Sequence, residues 1–235
     1  MPETELNNVV DCCDLSSDAI NFKVKDLIVS KHKTIILKNT NSKNKLLEGL
    51  RVSVKVEILG DVGSDFANGV NGLKIIVNGN IESDSVTSIQ KTKVVVFGNC
   101  SNNFGNDIKS SEIYLLDGCG VNSFLQLSKD SKVVIGGQIG SNFASMGSDG
   151  TIILLNLSGG NLFVDESWFK NSTQGLVYIR GQKDKIKLTG GGFSLRDTDA
   201  SDEDLYLPLI SEFSRLFGKS LSEIKSHPFN KVIFK

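Results

Sequence analysis

The sequence predicts an all-β protein built as a parallel β-helix, a solenoid of coils about nineteen residues long running from roughly residue 54 to 162. Glycines that follow short apolar runs recur at Gly60, Gly79, Gly98, Gly118 and Gly137, at spacings of 19, 19, 20 and 19. The residue six positions after each reads Phe66, Ser85, Phe104, Phe124 and Phe143. Composition agrees, because 23 Gly against 3 Pro suit a chain of short strands and turns. A fixed period of this length marks a repeat architecture. One strand and turn cannot bury its own apolar row, and stacked neighbours complete the core.

The strand before each glycine has two inner columns. Val56, Ile75, Val94, Tyr114, Val133 and Ile152 stand four residues before the glycine slot, and Ile58, Val77, Val96, Leu116, Ile135 and Leu154 stand two before it. Side chains alternate across a strand, so both columns share one face and point inward. The other face carries Lys55, Lys74, Lys93 and Lys132 and points outward. On that same outer face, three before the glycine, stand Ile76, Val95, Leu115, Val134 and Ile153, below Glu57. Stacking turns them into a continuous apolar stripe, and such a stripe marks something that covers it. The cover is an intramolecular element or a partner subunit. A sixth coil continues with Asn156 in the glycine slot and Leu162 in the Phe slot.

Upstream of the coils, Ile20, Val24, Leu27 and Ile28 have helical spacing, and TIILKN (34–39) reads as a strand. Downstream, the segment 163–181 breaks the period by about six residues and contains Trp168 and Phe169. That pair is expected to cap the open end of the solenoid, as such folds require. DTDASDED (197–204) reads as an acidic, solvated linker. Leu209, Ile210, Phe213, Leu216 and Phe217 then fall on one helical face, with Pro208 in the first turn and Gly218 as the stop. This helix has the right face to lie on the outer stripe. Ser220 and Glu223 suggest a capping box for a second short helix. The expected division is residues 1–53 leading in, 54–196 as the β-helix, and 197–235 as linker and helical tail.

A formal net charge of −1 argues against a nucleic-acid partner, because phosphate binding needs surplus Lys and Arg. No apolar run is long enough to span a bilayer. The start, MPETELNNVVDCC, lacks a basic region followed by an apolar run, so no leader and a cytoplasmic setting are expected. His32 and His227 lie outside the repeat and read as lone surface histidines. GGGF (190–193) has no Lys and no strand–loop–helix setting, and reads as a turn. Asp65, Asp84, Asn103, Ser123 and Asn142 form a polar ladder five after each glycine. Only two are carboxylates, so a turn-forming ladder is favoured over a calcium site. Cys100 and Cys119 fall on successive coils, offset by one slot, and are expected to be close but reduced. No catalytic, cofactor-binding or metal-ligating constellation is expected in this chain.

The pattern strand–G–x–x–G–x–x–F/M–x–x–G resembles the GXGXG domain, best in GDVGSDFANGVNGLKIIVNGN (60–80) and GGQIGSNFASMGSDGTIILLNL (136–157). That domain is the right-handed, single-stranded β-helix at the C-terminus of glutamate synthase. It also occurs as a stand-alone subunit and within one of the subunits of formylmethanofuran dehydrogenase. The helix followed by TIILKNTN, and the ending LISEFSRLFGKSLSEIKSHPFNKVIFK, resemble the glutamate synthase branch. Ser83 and Ser101 replace motif glycines, which marks a divergent member. The resemblance implies a non-catalytic structural subunit. Glutaminase chemistry, FMN and an iron–sulfur cluster would sit on catalytic partner chains. A homo-oligomer, or a scaffold that has lost its complex, is the alternative.

Overall fold

The structure is a computed structural model describing residues 8–172 and 174–235; the acidic start, residues 1–7, on which the leader-free reading partly rests, lies outside them. Strand β1 (Val9–Asp11) precedes helix α1 (Ser17–Val29), which Ser16 caps by accepting from the Ala19 amide. The rungs follow as β2 (Thr34–Lys38), β3 (Lys55–Leu59), β4 (Lys74–Asn78), β5 (Lys93–Val96), β6 (Glu112–Leu115), β7 (Lys132–Ile135) and β8 (Thr151–Leu154). Then come β9 (Leu162–Val164), β10 (Leu176–Arg180), β11 (Ile186–Leu188), β12 (Phe193–Asp197), α2 (Ala200–Phe217), α3 (Leu221–Lys225) and β13 (Phe229–Phe234). Among the described residues no helix is long and apolar enough to cross a membrane.

The rungs are rich in Val and Ile, which suit a pleated surface buried on both faces. Strands β1 to β8 and then β10 pair in parallel within one 11-stranded sheet. The solenoid begins earlier than residue 54, since Thr34–Lys38 already pairs residue for residue with β3. Each coil also touches its neighbours away from the sheet, through the bridge series Val62–Ile81–Cys100–Cys119–Ile139 and Arg51–Asn71–Gln90–Lys109. At the far end the polarity reverses: β13 pairs antiparallel with β10, and β12 antiparallel with β13.

The expected register is corrected in one coil. Val94, Val95 and Val96 pair with Ile113, Tyr114 and Leu115, so Asp117, not Gly118, stacks on Gly98. The extra residue lies later, between Leu127 and Lys132: Ile108 bridges Leu127, whereas Glu112 pairs with Lys132 and Cys119 with Ile139. A slip of one residue exchanges the two faces of a strand. Leu115 therefore points into the core rather than onto the outer stripe, and Tyr114 takes the stripe position. Leu116 lies outside the inner column and packs, partly buried, on the outer cluster. The two cysteines are aligned without an offset. The polar ladder contains Asn122 rather than Ser123. Asp65, Asp84, Asn103, Asn122 and Asn142 all have φ between 57° and 61°. Asx side chains tolerate that left-handed turn.

Glycine is required where coils approach closely. A Cβ on Gly79 would lie 2.5 Å from the Gly60 carbonyl carbon, on Gly98 2.6 Å from the Gly79 oxygen, and on Gly137 2.7 Å from the Asp117 carbonyl carbon. On the next position Asx side chains replace missing main-chain bonds. The Asn80 amide donates to Asp61 Oδ1 at 2.6 Å, the Asn99 amide to Asn80 Oδ1 at 2.9 Å, and the Gly118 amide to Asn99 Oδ1 at 3.2 Å.

The corrected register also rearranges the aromatic column. Phe66, Ser85, Phe104, Ser123 and Phe143 form one column, with the Phe66 amide donating to Ser85 Oγ and the Phe104 amide to Ser123 Oγ. Phe124 belongs to the next column, with Ala67, Val86, Gly105 and Ala144, as the carbonyls these five residues' amides reach show. Its ring leans over Gly105, where a Cβ would meet ring carbons at 2.6 and 2.8 Å. Edge-to-face contacts then run from Phe104 to Phe124 (5.6 Å) and from Phe124 to Phe143 (5.7 Å). Trp168 and Phe169 close this column, at 5.6 and 5.7 Å from Phe143, and both are buried. The Trp–Phe pair is thus a cap on the core.

Because Gly105 is the space for the Phe124 ring, Gly105→Ala is expected to cost about 1–3 kcal/mol by overpacking. Phe124→Leu in the same chain should recover part of that loss. Denaturant unfolding of both single variants and the double variant checks this: strictly additive effects would show that the ring does not set the glycine requirement.

Candidate functional site

The outer stripe consists of Ile76, Val95, Tyr114, Val134, Ile153 and Tyr178, running across the rungs β4 to β8 and β10. All but Ile76 are buried, and Ile76 is half-buried. The cover is the chain's own tail. Tyr206, Leu209, Ile210 and Phe213 of α2, Ile224 of α3 and Phe229 of β13 pack on the stripe. Phe217 adds an edge contact to Phe97, with ring centroids 4.9 Å apart.

Helix α2 starts earlier than its apolar spacing suggested. Asp199 caps it, with a reciprocal bond between the Asp199 and Asp202 side chains and main chains. The acidic stretch 197–204 is therefore partly the helix start, and Pro208 falls inside the helix. Asp204 and Pro208 are both exposed, so solvent can take the carbonyl that Pro208 leaves unbonded.

Asp202 is not a solvated charge. It is buried, and three elements converge on it. Arg196 Nη2 donates at 2.6 Å, Lys231 Nζ at 2.7 Å and the Tyr178 hydroxyl at 3.1 Å. Burial raises its pKa, but the bonds from Lys231, the Asp199 amide and Tyr178 outweigh burial and leave it lowered. Removing a partner from such a group leaves an uncompensated buried charge. At the other end of α2, Glu212 accepts from Lys93 Nζ at 2.7 Å and from Arg215 at 2.7 and 2.8 Å. The Arg215 bonds lower its carboxyl most; burial opposes this, Lys93 assists, and the group is held at about 2.

Arg180 ends β10 with a buried guanidinium and no carboxylate partner among the described residues. Its nitrogens donate to the carbonyls of Ile224 (2.6 Å), Glu223 (3.0 Å), Leu155 (3.2 Å) and Asn156 (3.5 Å). Nη2 also lies 2.9 Å from His227 Nδ1. Burial lowers its pKa. The Glu223 and Ile224 carbonyls belong to the last turn of α3, whose free carbonyls attract a cation. His227 is thus a contact of this latch rather than a lone surface histidine.

Cys100 and Cys119 are free, buried thiols on adjacent coils. Burial pushes Cys119 up to about 12 and Cys100 well above its ordinary value. Such thiols are inert packing groups. In the Asx ladder, Asn103 Nδ2 donates to Asp84 Oδ1 at 2.7 Å and Asn142 Nδ2 to Asn122 Oδ1 at 3.0 Å. Among the described residues no group of three or more His, Cys, Asp or Glu is placed to hold a metal ion.

The largest cleft, about 560 Å³, lies at the capped end between Asn142, Met146, Glu166, Lys170 and the Gly190–Gly192 turn. Amides, hydroxyls and one residue of each charge line it. It is equipped to hydrogen-bond a ligand, and no nucleophile–base pair meets there. The structural-motif residues Gly60, Gly79, Gly98, Gly137, Phe66, Phe104 and Phe143 gather in the stacking corners and core. Gly118 and Phe124 serve one position away from those expected. Sequence reasoning missed Arg180, Asp202 and Tyr114. A charged residue ending the apolar run LVYIR was the one available signal for the first.

Arg180→Met is expected to free α3 and β13 from the solenoid, leaving four carbonyls without their donor. Arg180→Lys should fail to rescue, because an ammonium has three donors and no planar fork. Loss of amide protection in β13, with β4 to β7 unchanged, is the diagnostic pattern. For Glu212 the folded pKa lies below the ordinary 4.5, so its contribution is fully present above 4.5 and is lost as pH falls toward 2. Hydrogen exchange in α2 should accelerate across that window, and Glu212→Gln should flatten the change.

No protein-family model matches this chain, and no curated protein matches it either.

Proposed function

We propose that this chain is a non-catalytic scaffold subunit, a β-helix that buttresses the catalytic parts of a glutamate-synthase-like assembly. The observation that supports it most is how its chemically capable groups are used. Arg180 holds main-chain carbonyls, Asp202 gathers Arg196, Lys231 and Tyr178, and the cysteines fill the coil interior. These groups serve stacking and tail docking. The two stretches that carry the GXGXG resemblance also contain corners where coil backbones approach so closely that a Cβ on Gly79 or Gly137 would collide. A pattern of this kind is a requirement of the solenoid and not of a reaction. On this reading FMN and an iron–sulfur cluster belong to partner chains, and this chain supplies none of their ligands.

The covered stripe favours a second reading, a stand-alone scaffold. Val95, Tyr114, Val134 and Ile153 are buried by the chain's own tail, so this apolar surface needs no partner. Affinity purification of the tagged chain at native expression separates the two. Co-elution with subunits showing flavin and iron–sulfur absorbance is the expected result. Elution alone, or with copies of itself only, sinks the assembly reading in favour of the stand-alone one.

A further inference from the structure

Strands β3, β4 and β5 each begin with a lysine, and the register stacks Lys55, Lys74 and Lys93 directly on one another. Successive rungs lie about 4.8 Å apart, so the three stand along about 10 Å. Lys33 and Lys91 join them around one open groove of about 350 Å³, whose floor is Val54, Gly72 and Leu73. Gly72, at φ 86°, adds no side chain to this floor.

Like charges directly opposite on neighbouring strands repel. The same column shows how this fold avoids it elsewhere. Beyond Lys93 it alternates in sign, with Glu112 lying 3.3 Å from Lys93 and 3.6 Å from Lys132. Inside the groove Lys55 has Glu57 at 2.8 Å, and Lys93 has Glu112 and Glu212. Lys33, Lys74 and Lys91 are exposed and have no acidic partner within salt-bridge distance among the described residues. Five cations thus converge on a chain whose net charge is −1, and three of them are uncompensated.

We propose that this groove docks an acidic peptide segment of a partner protein. The chemistry of the lining selects that partner. Every cation in the groove is lysine, a flexible point charge, and none is the planar fork of arginine that grips phosphate in two places. The groove also contains no aromatic ring on which a nucleic-acid base could stack. An extended peptide rises about 3.3 Å per residue, so three consecutive residues span the stacked lysines. A run of Asp or Glu laid across the rungs places a carboxylate near each uncompensated ammonium. This inference does not depend on the glutamate-synthase reading.

Fluorescence anisotropy of a labelled peptide bearing five consecutive glutamates, titrated with the full chain in 50 mM NaCl, tests it. Saturable binding is expected, weakened at least tenfold in K33E/K74E/K91E. A control with the same charge change at exposed lysines elsewhere, K25E/K129E/K187E, should change affinity less than twofold. The groove variant should melt no lower than the wild type, since it relieves repulsion. If it does not fold, K33Q/K74Q/K91Q replaces it with the same expected direction. Absence of binding, equal weakening by the control, or binding of tripolyphosphate without the peptide would each overturn the proposal.

Discussion

Parallel stacking at one rung per coil is the constraint on which everything else here depends. Each coil repeats its neighbour's main-chain bonds, so one position in the sequence meets the same position one coil away. Whatever a column contains is therefore multiplied. An aliphatic column becomes a core, a glycine column becomes a close corner, and an Asx column becomes a ladder of amide bonds. The same rule multiplies liabilities, and the outer apolar stripe is one of them. The tail that covers it is a necessity of the repeat as much as an addition to it.

The tail is attached by chemistry that differs from the coils. Apolar contacts from Tyr206 to Phe229 supply area without direction. Direction comes from three polar anchors: Glu212 on Lys93, Asp202 on Arg196, Lys231 and Tyr178, and Arg180 on the end of α3. They sit at both ends of α2 and at the α3–β13 junction, so the helix can neither slide nor pivot on the stripe. This placement explains why the strongest titratable interactions lie at tail anchors rather than in a cleft.

Much of the architecture was legible because apolar period and turn residues agreed. Val56, Ile75 and Val94 line up by spacing alone, and the face of α2 matches the stripe it covers. The slip at Tyr114 was not legible. In Ile113–Tyr114–Leu115–Leu116 every residue is apolar, so alternation carries no phase, and the extra residue hides in the polar Ser128–Ser131 turn. Asp202 was misread for a different reason. An acidic run looks solvated until Arg196, Tyr178 and Lys231 arrive from distant parts of the chain. The lysine column was visible as an outward face. Its convergence with Lys33 and Lys91 required the coils to be stacked.

The reversal of strand direction at the end of the sheet has a further meaning. A stack of near-identical parallel rungs offers its last rung as a template for the next, which is the geometry of fibril growth. Here β13 and then β12 run the opposite way, and the outermost strand ends in Arg196 and Asp197. An incoming parallel coil finds the wrong polarity and a charged rim. The height of the solenoid is thereby set at this end by a terminator distinct from the repeat. Coils could be added or removed between β3 and β7 without altering the device that stops the stack.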